Sequence, residues 1–106
     1  MEIIFDLLQD IRKRPNLYLG EASLELLNAF IGGCSFYCLK VNGYYPEFFP
    51  GFQEFVQTRY DIHTVHGWWS IIGSFCANDE EAFYKFFELL DEFLIITKAK
   101  NTWQAD

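Results

Sequence analysis

Two histidines and three cysteines are the scarcest reactive groups in this chain of 106 residues. His63 follows Asp61 by two positions, so that carboxylate could orient an imidazole, and a thiol from Cys34, Cys38 or Cys76 would complete a nucleophilic pair. The surroundings argue against it. Cys34 and Cys38 lie four apart in an apolar helical pattern and Cys76 lies in another apolar stretch, where burial raises a thiol pKa and makes the group inert. An odd cysteine count without a compact framework speaks against disulfides, and His63 and His66 sit in a loop with no Cys-x-x-Cys to build a zinc site. There is no Gly-x-Ser-x-Gly and no phosphate loop. No catalytic residue, metal or cofactor is therefore assigned, and a non-enzymatic binding role is expected.

Charge gives that role a direction. With a formal net charge of -7, the chain is repelled by nucleic acid and anionic membranes and attracted to basic proteins. Its one basic cluster, Arg12-Lys13-Arg14, reads as the solvated last turn of a helix, where cations favour the dipole. The carboxylates Glu80, Glu81, Glu88, Asp91 and Glu92 fall on one C-terminal helix, and Glu47, Glu54 and Asp61 extend the set. Aromatic residues make up 20% of the chain, more than a small core needs, so some rings belong at the surface or in an interface. Tyr44, Tyr45, Tyr60, Trp68 and Trp69, in or beside irregular segments, are the candidate anchors. Adjacent helical residues point in different directions, so one of Trp68 and Trp69 is expected in the core and the other outside.

The elements that must position these groups read as helices throughout. Asn78 to Thr97 places Phe83, Phe86, Phe87, Leu90, Phe93 and Leu94 on one face, opened by Asn78 as cap and Glu81 as its capping-box carboxylate. Glu2 to Lys13 forms a first amphipathic helix stopped by Pro15, followed by a loop to Gly20 whose Leu17, Tyr18 and Leu19 turn inward. A second helix starts at Ser23 and ends before Gly43, with Leu27, Phe30 or Ile31, Cys34 and Cys38 inward; Gly32 and Gly33 suggest close approach of a neighbouring helix or a kink. Val41 to Pro50 is irregular, Pro50 to Tyr60 is a third helix with Phe52, Phe55 and Val56 inward, and Asp61 to Gly67 is a polar loop. Trp68 to Cys76 is a short buried helix, and Lys98 to Asp106 a frayed polar tail. The expected fold is all-α, a compact single-domain bundle of about five helices. No basic leader precedes the first helix and no apolar run reaches the roughly 20 residues of a membrane span, so a cytoplasmic protein is expected.

Two resemblances bear on function. RKRPNLYLG (Arg12 to Gly20) looks like a nine-residue segment near the start of gyrase-type ATPase domains, but the Asp-x-Gly-x-Gly motif and glycine-rich lid of that family are absent, and Glu25 and Asn28 imitate its catalytic helix only superficially. RPNLYLGEASLELLNAFIGG (Arg14 to Gly33), FQEFVQTRY (Phe52 to Tyr60), GWWSIIGSF (Gly67 to Phe75) and DEEAFYKFFELLDEF (Asp79 to Phe93) together resemble the small acidic immunity proteins of bacterial polymorphic toxin systems, including contact-dependent growth inhibition. That resemblance implies a one-to-one complex with the C-terminal domain of a cognate toxin, commonly a basic nuclease that attacks transfer RNA. Carboxylates would then occupy the positions of RNA phosphates. Interfaces in that family vary between relatives, so the contact residues above rest on charge and exposure alone. The alternative is a small acidic adaptor or regulatory domain; exposed rings also leave room for a homodimer. Reversing Glu88, Asp91 and Glu92 is expected to slow association while leaving unfolding nearly unchanged.

Overall fold

A computed structural model describes residues 2–47, 49–63 and 66–104, with side chains for 4–47, 49–63 and 66–98. The chain is an all-α bundle: α1 (Glu2–Lys13), α2 (Pro15–Leu19), α3 (Leu24–Asn42), α4 (Phe52–Tyr60), α5 (Trp68–Ser74) and α6 (Asp79–Gln104). No strand occurs among the described residues.

Helix α6 is the spine. Asn78 Oδ1 accepts from the Glu81 N–H at 2.8 Å, and Glu81 Oε2 accepts from the Ala77 N–H at 2.5 Å, so the first turn is capped from both directions. Ala82, Phe83, Phe86, Phe87, Leu89 and Leu90 are buried along its inner side, with Phe93 and Leu94 packed at the margin. Phe52 of α4 sits at the centre of this core, edge-on to Phe86 at 5.8 Å, Phe93 at 5.4 Å and Trp68 at 5.4 Å. Edge-to-face ring pairs contribute about 0.5–1.5 kcal/mol each beyond the area they bury. Ile4, Leu8 and Ile11 of α1, Leu24, Leu27 and Ile31 of α3, and Ile71 and Ile72 of α5 complete the same cluster.

The structure departs from the sequence expectations at five places. The segment after Pro15 is a helical turn, α2, because proline at the first helical position is already set to a helical φ. Leu17 and Tyr18 therefore point outward, and only Leu19 packs against the core. In α3 the buried stripe is Leu24, Leu27, Ile31 and Ser35, one residue on from Cys34, which is half-buried beside it together with Cys38. No helix approaches Gly32 or Gly33: a Cβ built on either would meet nothing within 4 Å. Helix α4 begins at Phe52, after a turn closed by Gly51 at φ +89°, a conformation that favours glycine. Finally, α6 runs on through Gln104, since nothing in LysAlaLysAsnThrTrpGln breaks a helix; residues 105–106 and the side chain of Trp103 lie outside the described set.

By length and a mean hydropathy of 1.2, α3 also meets the composition of a membrane span, contrary to the expectation that no run approaches one. Its buried stripe, however, packs into the common core.

Candidate partner-binding surface

The outer side of α6 carries its carboxylates at helical spacing, but they have different surroundings. Asp91 lies across from α1, where Arg12 reaches it with N···O distances of 3.0 and 3.2 Å while lying 5.3 Å over the Phe87 ring. Glu92 lies across from α4, and Arg59 Nη1 donates to both of its oxygens at 2.8 Å. That hydrogen bond, followed by the charge of Glu92, raises the Arg59 pKa further. These two acids clamp α1 and α4 to the spine. Arg12 is thus not a solvated end of α1 but a half-buried partner; only Lys13 and Arg14 of that cluster are exposed.

Between Glu80 and Glu88 no carboxylate is tied to another helix among the described residues, although Glu81 caps its own through the Ala77 N–H. Glu80, Glu81 and Glu88 are exposed, and Lys85 approaches Glu88 at 3.5 Å along the same helix. Between them stands Tyr84, exposed, with Phe75 beside it at the end of α5. A cleft of about 340 Å³ joins Phe75, Cys76, Glu81, Tyr84, Lys85 and Glu88. Phe75 is held flat on Tyr60 at 4.6 Å, so Tyr60 is half-buried and supports the surface ring. Burial raises its phenol pKa. Tyr84 was legible: it falls four residues from Glu80 and four from Glu88. Phe75 gave no signal, because nothing in the sequence marks which way the residue that caps α5 turns.

The remaining candidates scatter. Trp68 stacks on Phe86 at 5.0 Å in the core, and Trp69 is the exposed member of the pair, edge-on to it at 5.6 Å. Glu54 is exposed on α4, and Asp61 ends that helix in the left-handed region at φ 55°, where its carboxylate meets His63 Nε2 at 3.0 Å. That exposed pair is the nearest thing to an acid–base couple. Tyr44, Tyr45 and Glu47 are exposed beyond the C-terminal end of α3, and Tyr44 lines a separate apolar groove with Ile4, Leu7, Phe30 and Tyr37.

Asp79 has a role the sequence did not reveal. Beyond opening α6, its carboxylate accepts from the Ser23 hydroxyl and from the N–H groups of Leu24 at 3.1 Å and Glu25 at 3.2 Å. One acid therefore sits at the positive ends of two helices and locks α3 to α6.

Among the described residues, no cluster of three His, Cys, Asp or Glu side chains could hold a metal. Burial, then the neighbouring Cys38, pushes the Cys34 thiol pKa up, and burial does the same for Cys76. Compared with known protein families, curated proteins and solved structures, the chain matches none.

Proposed function

We propose that this protein is an immunity protein that binds and neutralises a basic nuclease toxin in the cytoplasm, without catalysis of its own. The observation that carries the reading is the opening of α6, where Glu81 and Glu88 share a cleft with the exposed rings of Tyr84 and Phe75, and Glu80 stands on the other side of Tyr84 towards Lys13 and Arg14, on a helix whose other side is buried in the core. Rigid aromatic anchors ringed by charge are the pattern from which tight interfaces draw most of their energy. The carboxylates would take the places of RNA phosphates, and the rings would fill a pocket of the nuclease. Asp91 and Glu92, tied to Arg12 and Arg59, hold this helix in position. The negative charge steers encounter, so association should be fast and should slow with added salt.

The test begins with the neighbouring genes, where a toxin ending in a nuclease module is expected. Growth of cells expressing that module should be rescued by this chain and not by a Glu80→Lys, Tyr84→Ala, Glu88→Lys variant that still folds. Full rescue by the variant, or the absence of any such toxin, removes the proposal.

A further inference from the structure

On α3, the side opposite the buried stripe is apolar and open to solvent. Phe36 is 59% exposed, Tyr37 69% and Val41 60%, with Leu26 and Leu39 also exposed. Through the middle of that side run Gly32 and Gly33, where a Cβ would meet nothing within 4 Å. Glycine is unfavourable in a helix interior, and neither of these is needed by a turn or by an internal contact. The helical spacing sets Glu25, Ala29, Gly32, Gly33, Phe36 and Lys40 on one stripe.

That stripe is complementary to itself. Turned end for end about the midpoint of Gly32 and Gly33, it lays Phe36 over Ala29 of a second copy and brings Lys40 within reach of Glu25 of a second copy, with Leu26 and Leu39 on the two flanks of the seam. A two-fold axis makes each contact twice. Neither Glu25 nor Lys40 has an ion-pair partner among the described residues. Two chains of net charge -7 repel, yet this side carries one charge of each sign, so the approach is neutral where the copies would meet. Taking about 150–250 Å² for a large side chain, the exposed parts of Phe36, Leu26, Leu39 and Tyr45, whose ring meets Phe36 at 5.6 Å, amount to roughly 400 Å² per copy. That is the size of a weak, concentration-dependent interface.

We infer that α3 is the seam of an antiparallel, two-fold homodimer, centred on the glycine pair and closed at both ends by Glu25–Lys40 ion pairs. Neither alternative occupant fits the charges as well. A basic protein finds a single carboxylate here, and a bilayer would have to accept Glu25 and Lys40 at the two ends of a helix whose inner stripe is locked into the core. The contact uses none of the residues of the proposed toxin-facing surface, so a dimer could still present two of them.

Sedimentation velocity of the full chain, from low micromolar to sub-millimolar concentration, should show a concentration-dependent dimer. Lys40→Glu should weaken it at least about tenfold, and adding Glu25→Lys in the same chain should restore it. Gly33→Leu places a side chain in space that is empty in the monomer, so its thermal midpoint should hold or rise while the dimer is lost; Phe36→Asp should also abolish the dimer with the helical circular dichroism intact. A chain that stays monomeric at every concentration overturns the inference. So does a dimer that survives Gly33→Leu, a charge swap that fails to restore association, or binding of the monomer to phosphatidylcholine vesicles through this face.

Discussion

The outer sides of α6 and α3 differ in how their exposed groups are used within the molecule. On α6 the charged groups at positions 91 and 92 hold neighbouring helices, leaving only its first turns open to a partner. On α3 the exposed apolar groups make few contacts within the monomer, and a Cβ on either glycine would meet nothing within 4 Å. An acidic composition therefore overstates how much negative surface is free. The exposed apolar residues of α3, by contrast, stay largely open: Phe36 meets Tyr45 and is still 59% exposed.

The comparison breaks first if the support beneath α6 is removed. Phe86→Ala, at the meeting of Phe49, Phe52 and Trp68, should cost about 3–5 kcal/mol in denaturant unfolding. Next comes the joint between the two helices. Asp79→Ala removes the acceptor shared by Ser23, Leu24 and Glu25 and should cost about 1–2 kcal/mol, with hydrogen exchange rising at the first turn of α3. Glu92→Lys should lower the thermal midpoint by setting like charges together with Arg59, whereas Glu80→Gln, which removes a charge without reversing it, should lower it less. Reversing Asp91 and Glu92 is thus no clean probe of binding, contrary to the expectation from sequence. On α3, Tyr37→Ser should change the stability of the monomer by no more than about 0.5 kcal/mol.

A pH titration separates buried from exposed groups in the same terms. Cys34, Cys76 and Tyr60 hold their protons more tightly when folded than the ordinary values of 9.0 and 10.0, burial being the main cause. Folding favours the protonated forms, so stability should hold below the ordinary thiol value and fall as pH rises through it and beyond. Thermal midpoints of wild type and Cys34→Ala, Cys76→Ala should converge in slope only if these thiols are not responsible.

Much of the fold could be read from the chain because local signals agreed. The Asn78 and Glu81 cap, the phenylalanine periodicity after it and the Ser23 cap each predicted the helix that is present. The errors arose where two readings of one residue compete. Proline ends a helix or begins one, and Pro15 does the second; a glycine pair signals a close neighbour or an exposed gap, and Gly32 and Gly33 border a gap. At the candidate surface, helical spacing was enough to place Glu80, Glu81 and Glu88 together. It could not show that Arg12 and Arg59, 79 and 33 residues away, would take up Asp91 and Glu92, because ion pairs between helices depend on packing.

The most direct test of the functional account is the association rate of this chain with a catalytically inactive form of the neighbouring toxin's nuclease domain, measured against sodium chloride. The account predicts a fast rate that falls steeply with salt, and a slower rate with a shallower salt dependence in Glu80→Lys, Glu88→Lys that keeps its helical circular dichroism. A rate indifferent to salt and to both substitutions would contradict it.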